Sequence, residues 1–315
     1  MAGFTSPGLV LASNQAILEA QRGIALAKLF STDFSAELQD VGKTISVPVF
    51  SGNATVYSEA NGSVNDFETT DGSIIPVKVS LDTLVKVTFK VGMNDLLEID
   101  KSSTSRNCGS AGGRAIARKI EEIIMGKLDC AKRLAAVSSF THKKIGKALA
   151  AAEKQGLDPA TCVVILEPDT YGDLLDENVG NAAIQGDDIA GSLGRKYGCK
   201  AIVCSAKVDK VSTAATTGEG AQDAVEKGVG FIVPDSAIAI AGRAIEQAVE
   251  GLYSEYGTTT DEKSGLPVTA FVHGTPGRNS RFMNVACLLG AKLTREVDTN
   301  SVANGAPGYL QLVTA

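Results

Sequence analysis

The chain has 315 residues and a formal net charge of −6; 44% of its residues are hydrophobic and 21% are charged. This length and composition allow a large buried core, and we expect a folded protein with two lobes. No run approaches about eighteen consecutive apolar residues, and no basic segment precedes an apolar run at the N-terminus, so we expect no membrane span and synthesis in the cytoplasm.

Cysteine and histidine usage argues against a disulfide framework and against a zinc site. The six cysteines have no C-x-x-C spacing, and we expect all six to be reduced. The two histidines, His142 and His273, are far apart in the sequence and form no metal-ligand pattern. The sequence therefore predicts no metal and no cofactor.

The first 43 residues mix small apolar and polar side chains, with a modest helix predicted over residues 15–30 and interrupted at Gly23. A segment of this kind buries little apolar surface by itself. We therefore expect an N-terminal arm that lies across another surface.

From residue 44 the hydrophobic period changes to two. Ile45, Val47 and Val49 alternate with other residues, which predicts a strand, and Pro48 favours an edge position. A second alternation occupies odd positions from 77 to 91 and would extend roughly 50 Å at about 3.3 Å per residue. Because most strands have about five or six residues, we expect this one to project from its domain or to bend.

The segment between these two strands, residues 51–73, is rich in glycine, asparagine, serine and threonine, which form turns. It contains no lysine or arginine, and its acidic residues are Glu59, Asp66, Glu68 and Asp71. The pattern predicts a long antiparallel hairpin with an acidic tip. Its edges need another surface to cover them.

A stripe of apolar residues predicts an amphipathic helix over residues 114–128 that extends back to about residue 103. Gly109, Gly112 and Gly113 disfavour a helix interior, so they are expected to fray it, bend it or admit a close neighbour. Their amides also offer an anion site at a helix start, but no strand precedes them as a dinucleotide site requires. The apolar stripe consists of Ile116, Ile120, Ile123, Ile124 and Leu128.

Strands and helices alternate after this helix, which predicts an inserted α/β lobe. The predicted helices cover residues 143–154, with a C-cap at Gln155-Gly156, then 168–177 and 237–244. The predicted strands of this lobe cover residues 162–166, 201–204 and 229–233. Later strands are predicted at 252–256, 267–272, 282–295 and 309–313.

Residues 101–147 contain eleven lysines and arginines and three acidic residues, a local charge of +8. A confined basic stripe can meet a polyanion or an acidic partner, although a solvated face that binds nothing is an equally good interpretation.

No motif predicts catalysis. Gly42-Lys43-Thr44 resembles the end of a phosphate-binding loop, but it lacks the leading glycine and a strand follows it. There is no G-x-S-x-G elbow, and neither histidine is placed for a catalytic triad. The adjacent carboxylates Asp187-Asp188 and Glu121-Glu122 are interpreted as solvated charges.

The order of elements resembles the major capsid protein of tailed double-stranded DNA bacteriophages, the Hong Kong 97-type fold. The similarity covers roughly residues 15–297, and its segments are Thr44–Val49, Val77–Val91, the helix at 114–128, Ile189–Gly198 and residues 229–243. Ile189–Gly198 is expected to be a glycine-punctuated entry to a strand of the inserted lobe.

The resemblance implies an α+β fold with an N-terminal arm, an extended β-hairpin loop, a peripheral domain with a long spine helix, and an inserted α/β axial domain. The arm would be residues 1–43 and the loop 44–91. The peripheral domain would be 92–139 and 251–299, and the axial domain 140–250 and 300–315.

The resemblance also implies a protein without an active site that assembles as hexamers and pentamers into the icosahedral head shell around packaged double-stranded DNA. Its expected location is the virion capsid, after assembly in the bacterial cytoplasm. Expected partners are a separate scaffolding protein, a portal, decoration proteins in some systems, and DNA contacted non-specifically, with no membrane. Two alternatives remain: a cellular nanocompartment shell of the encapsulin type, and a nucleotide-using α/β enzyme.

Two sets of residues are the candidate sites. The hairpin residues expected to contact a neighbouring subunit are Val47, Val49, Val77, Val79, Leu81, Val85, Val87 and Phe89. The basic stripe expected on the inner face of the shell is Arg114, Arg118, Lys119, Lys132 and Arg133. Neutralising the basic stripe is expected to impair DNA packaging or scaffold retention.

Overall fold

A computed structural model gives the fold, which is a mixed α+β arrangement as the sequence predicts. It describes residues 12, 14–20, 26–33, 44–51, 73–92, 101–128, 135–137, 139–178, 189–208, 228–245, 255–260, 266–274, 280–294 and 309–313. Among the described helices, none combines the length and apolar character that crossing a bilayer requires.

The secondary structure is numbered along the chain. The α-helices are α1 (Lys101–Met125), α2 (Ile145–Lys154), α3 (Pro168–Glu177) and α4 (Ile189–Tyr197). The strands are β1 (Ser31–Asp33), β2 (Thr44–Ser51), β3 (Ser73–Ser80), β4 (Thr83–Gly92), β5 (Ala135–Val137), β6 (Cys162–Leu166), β7 (Ala201–Cys204), β8 (Gly228–Pro234), β9 (Ile238–Arg243), β10 (Glu255–Thr260), β11 (Pro267–Gly274), β12 (Ser280–Leu293) and β13 (Leu310–Val313). Residues 14–20 are also helical.

The first compact unit comprises Met1–Val47, Lys78–Lys127 and Ile238–Lys292. Its sheet has the strand order β1-β9-β12-β11-β10, and β4 pairs antiparallel with β12. Helix α1 packs against β4, and its apolar stripe is buried at Ile116 and Ile120. The predicted amphipathic helix is confirmed, and it begins close to the predicted position.

The second compact unit comprises Pro48–Val77, Leu128–Ala237 and Leu293–Ala315. Its sheet has the strand order β5-β13-β8-β6-β7. Strand β6 is buried at every residue and lies between β7 and β8, which explains its continuous apolar sequence. Helices α2, α3 and α4 add Leu149, Leu174 and Leu193 to its core.

Several predicted boundaries are confirmed in the second unit. Helix α3 has the predicted bounds, with Pro168 in its first turn, where a missing backbone N–H is tolerated. Helix α2 ends at the predicted cap: Gly156 has a φ of +81°, and its N–H donates to the carbonyl of Glu153 at 2.9 Å. Strands β6, β7 and β8 match the predicted positions to within one residue.

Two predicted elements have a different structure. Residues 237–244, predicted as a helix, contain strand β9, which is bonded to β1 and β12. An apolar run buried on both faces shows no alternation, so its period does not separate helix from strand. Residues 189–198, predicted as an entry to a strand, form helix α4 and its C-terminal Gly198, which has a φ of +79°.

The predicted long strand over residues 77–91 is two strands. Strand β3 pairs with β2 in a two-stranded sheet, whereas β4 pairs with β12. The chain leaves the extended pairing at Leu81 and Asp82, and Thr83 donates a side-chain hydrogen bond to Asp82 at 3.1 Å. Because of this break, the alternating apolar residues from 77 to 91 belong to strands of two different sheets.

Candidate functional site

The ribbon formed by β2 and β3 is the first candidate contact surface. Its valine face is buried within the single chain at Val47, Val77 and Val79. A Cβ added at Gly290 of β12 would overlap the carbonyl oxygen of Ser80, so the strands approach closely there. The exposed residues of the ribbon are Thr44, Ser46, Pro48, Lys78 and Ser80.

The expectation that the valine face contacts a neighbouring subunit stays a prediction, and the structure shows that part of this face is already buried within the chain. Alternation in a sequence identifies a face that is buried, but it does not identify the molecule that buries it. Leu81 is also buried within the chain, and the side chain of Val49 lies outside the described set. The exposed residues among those described lie on the polar face of the ribbon.

The other predicted hairpin residues lie in β4, within the sheet of the first unit. Val85 is buried, and Val87 and Phe89 are half-buried on the same face of the strand. Phe89 packs against a cluster that includes Cys108 of α1 and Met283 of β12. These side chains stabilise the unit itself, and any contact with another subunit remains a prediction.

The opposite face of β4 presents an outward row: Leu84, Lys86, Thr88 and Lys90 are all exposed. Leu84 is 54% exposed, which is high for a leucine. Among the described residues, neither Lys86 nor Lys90 has an ion pair. This row is not among the residues predicted from the sequence, although Lys86 and Lys90 are four residues apart and alternate with the apolar residues of β4.

A buried polar network lies beside the outward row, on the same face of the sheet, because Thr88 and Asn284 are paired across β4 and β12. Asn284 of β12 is buried; its side-chain oxygen accepts a hydrogen bond from the Thr88 hydroxyl at 2.7 Å, and its amide nitrogen lies 2.8 Å from Nδ1 of His273. The His273 ring stacks on Phe282 with centroids 5.2 Å apart. Because the network joins β4, β12 and β11, it fixes the sheet on which the row stands.

The glycines of α1 admit close neighbours on two sides. A Cβ at Gly109 or Gly113 would overlap the carbonyl oxygens of Ala12 and Ala16. A Cβ at Gly112 would lie 2.8 Å from the Cβ of Val285 in β12. Of the three expected roles for these glycines, the structure shows the admission of close neighbours.

The basic stripe is partly neutralised within the chain. The Arg114 Nε donates to the Glu19 carboxylate at 3.4 Å, and Lys119 pairs with Glu122 at 2.8 Å. Arg118 is exposed. Lys132 and Arg133 lie outside the described residues, so the structure brings together only part of the predicted stripe.

The described titratable groups form no recognisable catalytic centre. His142 lies 3.9 Å from an oxygen of Asp173 and 3.4 Å from an oxygen of Glu177, both on α3. This is a contact of one histidine with two carboxylates of α3, and the contacts that the structure gives His142 include no nucleophile. In the described part of the chain, no group of His, Cys, Asp and Glu side chains is placed to hold a metal ion.

The described cysteines are all free thiols, and most of them are buried. Burial raises the pKa of Cys162 and of Cys287 to about 12 and that of Cys199 to about 11. These thiols stay protonated near neutral pH and act as small apolar side chains. Cys204 is exposed.

No protein-family model and no curated protein sequence matches the chain. Similar solved structures do exist. The capsid of Ralstonia phage GP4 matches with a TM-score of 0.48 and 12% identity, over 91% of this chain and 87% of that one.

Two further structures are similar at the same level. The capsid of the cyanophage P-SCSP1u matches with a TM-score of 0.47 and 15% identity, over 91% of this chain and 86% of that one. A virus-like particle from Pyrococcus furiosus matches with a TM-score of 0.47 and 12% identity, over 96% of this chain and 97% of that one.

Proposed function

We propose that this chain is the major structural protein of a closed icosahedral shell, the head capsid of a tailed bacteriophage, and that it carries no catalytic activity. The observation that carries the proposal is the ribbon of β2 and β3, which forms a two-stranded sheet of its own. A two-stranded sheet is marginally stable in water unless other structure packs on it, and of its described residues only the valine face is buried within the chain. Each of its strands also leaves one edge without a partner among the described strands.

Exposed sheet edges are what proteins normally cover or blunt, because other chains pair with them. A protein that tiles a shell has copies of itself to cover such edges. Several interfaces of about 1,600 Å² each would hold such a shell together through multivalency. In a shell, a neighbouring copy can therefore cover the edges of the ribbon, and a monomer has no such partner.

The finer assignments belong to the same proposal. The arm is residues 1–43, the extended loop 44–91, the peripheral domain 92–139 and 251–299, and the axial domain 140–250 and 300–315. The shell consists of hexamers and pentamers, built with a separate scaffolding protein and a portal in the host cytoplasm. Arg114 and Arg118 are exposed members of the basic stripe, and we place them on the inner face, near DNA or scaffold.

Negative-stain electron microscopy of the purified protein tests this function. We expect closed shells, or capsomers that close when a scaffolding protein is co-expressed. A monodisperse monomer under both conditions would refute the proposal. Shells that enclose a cellular enzyme in place of DNA would assign the protein to a nanocompartment.

A further inference from the structure

We infer that His273 makes the sheet of the first unit sensitive to pH. The buried amide of Asn284 requires the neutral form of the His273 ring, and protonation of that ring weakens the contacts that join β4, β12 and β11. The inference concerns the folding of a single chain, so it goes beyond the proposed function and does not depend on it.

The orientation of the Asn284 amide is fixed by its hydrogen-bond partners. Its nitrogen lies 3.4 Å from the carbonyl oxygens of Phe271 and Phe282, which can only accept hydrogen bonds. Its oxygen accepts a hydrogen bond from the Thr88 hydroxyl at 2.7 Å. Rotating the amide by half a turn would place its oxygen beside the two carbonyl oxygens. The amide nitrogen therefore stays on the side that faces His273.

This orientation determines which nitrogen of His273 carries the proton. The ring Nδ1 lies 2.8 Å from the Asn284 nitrogen, which is a donor, so Nδ1 must be the acceptor. A neutral imidazole has one N–H, and here it is on Nε2. Stacking of the ring on Phe282, with centroids 5.2 Å apart, keeps the ring beside the amide.

Protonation of His273 removes the acceptor on which the network depends. Both nitrogens of a protonated imidazole are donors, so the Nδ1–H would face the N–H of Asn284 across 2.8 Å. If the amide rotated to accept this proton, its oxygen would face the carbonyl oxygens of Phe271 and Phe282. Either arrangement breaks a hydrogen bond of a buried polar group, which destabilises the folded sheet.

The charges near His273 add to this effect. Strands β4, β11 and β12 contain no aspartate or glutamate, and Lys90 belongs to the same cross-strand row as His273. In β10, Glu255 is paired with Val272, one position before His273. The charged residues of β4, β11 and β12 other than the histidine are all cations: Lys86, Lys90, Arg281 and Lys292.

The sign of the pH dependence follows from proton uptake. The folded sheet resists protonation of His273, whereas the unfolded chain accepts the proton freely. Stability rises with pH wherever the unfolded state binds more protons, so the sheet loses stability as the pH falls through the range in which histidine titrates, about pH 6.5 for a free side chain.

The chain contains one other histidine, which provides an internal control. The ring nitrogens of His142 lie 3.9 Å from an oxygen of Asp173 and 3.4 Å from an oxygen of Glu177. Carboxylate oxygens accept hydrogen bonds from both nitrogens of a protonated ring. Acidification therefore removes none of these contacts, and the loss of stability is expected in the first unit alone.

Hydrogen exchange of the full chain tests the inference. Between about pH 7.5 and about pH 5.5, and after correction for intrinsic rates, protection of residues 83–92 and 280–293 should fall at least about fivefold more in the wild type than in His273→Phe. Phenylalanine keeps a ring that stacks on Phe282 and cannot be protonated. The control His142→Gln should show the wild-type loss. Equal pH responses of the wild type and His273→Phe would overturn the inference.

Nitrogen NMR of the full chain labelled at histidine gives a readout that needs no change at His273. In His142→Gln the remaining signals come from His273, and at about pH 7.5 they should show a neutral ring with the proton on Nε2. A proton on Nδ1 at this pH would overturn the inference, whether or not His273→Phe folds.

Discussion

Gly109 and Gly113 determine how closely the N-terminal helical segment approaches α1. They are four residues apart and therefore lie on one side of the helix, facing Ala12 and Ala16, which have the same spacing. Small residues on both sides let the two backbones meet, and Glu19 adds contacts to Ser110 at 3.3 Å and to Arg114 at 3.4 Å. The helix thus loses intrinsic propensity and gains a packed neighbour.

We expect Gly113→Ala to destabilise the protein although alanine is the better helix former. The added methyl group would overlap the carbonyl oxygen of Ala16, and overpacking of this kind typically costs about 1–3 kcal/mol. Urea unfolding should show the loss, and hydrogen exchange of residues 14–20 should become faster because the segment is displaced.

Gly146→Ala in α2 is the matched control for this substitution. A Cβ at Gly146 meets no atom within 4 Å, so the change should stabilise the protein by about 0.5–1 kcal/mol. If Gly113→Ala gained stability to the same extent and kept residues 14–20 protected, the close packing described for α1 would be incorrect.

Strand β13 closes the sheet of the second unit from the end of the chain. It pairs parallel with β5 and antiparallel with β8, and Leu310, Gln311, Leu312 and Val313 are buried. Phe140 also donates its backbone N–H to the carbonyl of Val313 at 2.9 Å. A short terminal segment therefore occupies an internal position in the sheet.

Deleting residues 309–315 should prevent the second unit from folding. Removing β13 exposes the edge of β8 and the apolar side chains that Leu310 and Leu312 cover, so the truncated chain is expected to be insoluble or to bind a hydrophobic dye. Deleting only residues 314–315 is the control and should leave the melting temperature unchanged. A soluble, cooperatively unfolding 308-residue chain would contradict this role of β13.

The elements that the sequence predicts well have a local signal. Helix α3 begins with Pro168, and proline is well tolerated in the first turn of a helix. The apolar residues of α1 form one stripe because one side of this helix packs against the sheet. Strand β9 was predicted wrongly because it is buried on both faces, and burial on both faces removes the periodic signal. The pairing of β4 with β12 joins residues about 200 positions apart, and no local pattern encodes that choice.

The candidate site was predictable in part for the same reason. The alternation of buried residues in β3 and β4 identified the strands, but it could not show that Val79 and Val85 are covered by their own chain. Lys86 and Lys90 alternate with the apolar residues of β4 and are exposed. The ion pair between Arg114 and Glu19 was not predictable, since it depends on where the N-terminal segment lies.

The chain contains two larger sheets and a ribbon of two strands, and these parts are stabilised in different ways. The core of each unit is buried by its own residues, whereas the polar face of the ribbon is exposed. A change confined to residues 52–72, between β2 and β3, should therefore affect assembly without affecting folding.

Replacing residues 52–72 with the linker Gly-Asn-Gly-Ser should leave a folded chain that forms no shells. Shortening the loop between β2 and β3 reduces the entropy cost of closing it, a gain on the order of 1 kcal/mol, so the melting temperature should be equal or higher. The substitution removes most of the extended loop that the proposed function places against neighbouring copies. Light scattering should therefore show only small species, and electron microscopy should show no closed particles. A control variant keeps all 21 residues and replaces only Glu59, Asp66, Glu68 and Asp71 with Asn or Gln. It keeps the length of the segment and removes its charge, so it separates the need for length from the need for charge. Normal shells from the shortened chain would show that the ribbon tip is dispensable and that the assembly contacts lie elsewhere.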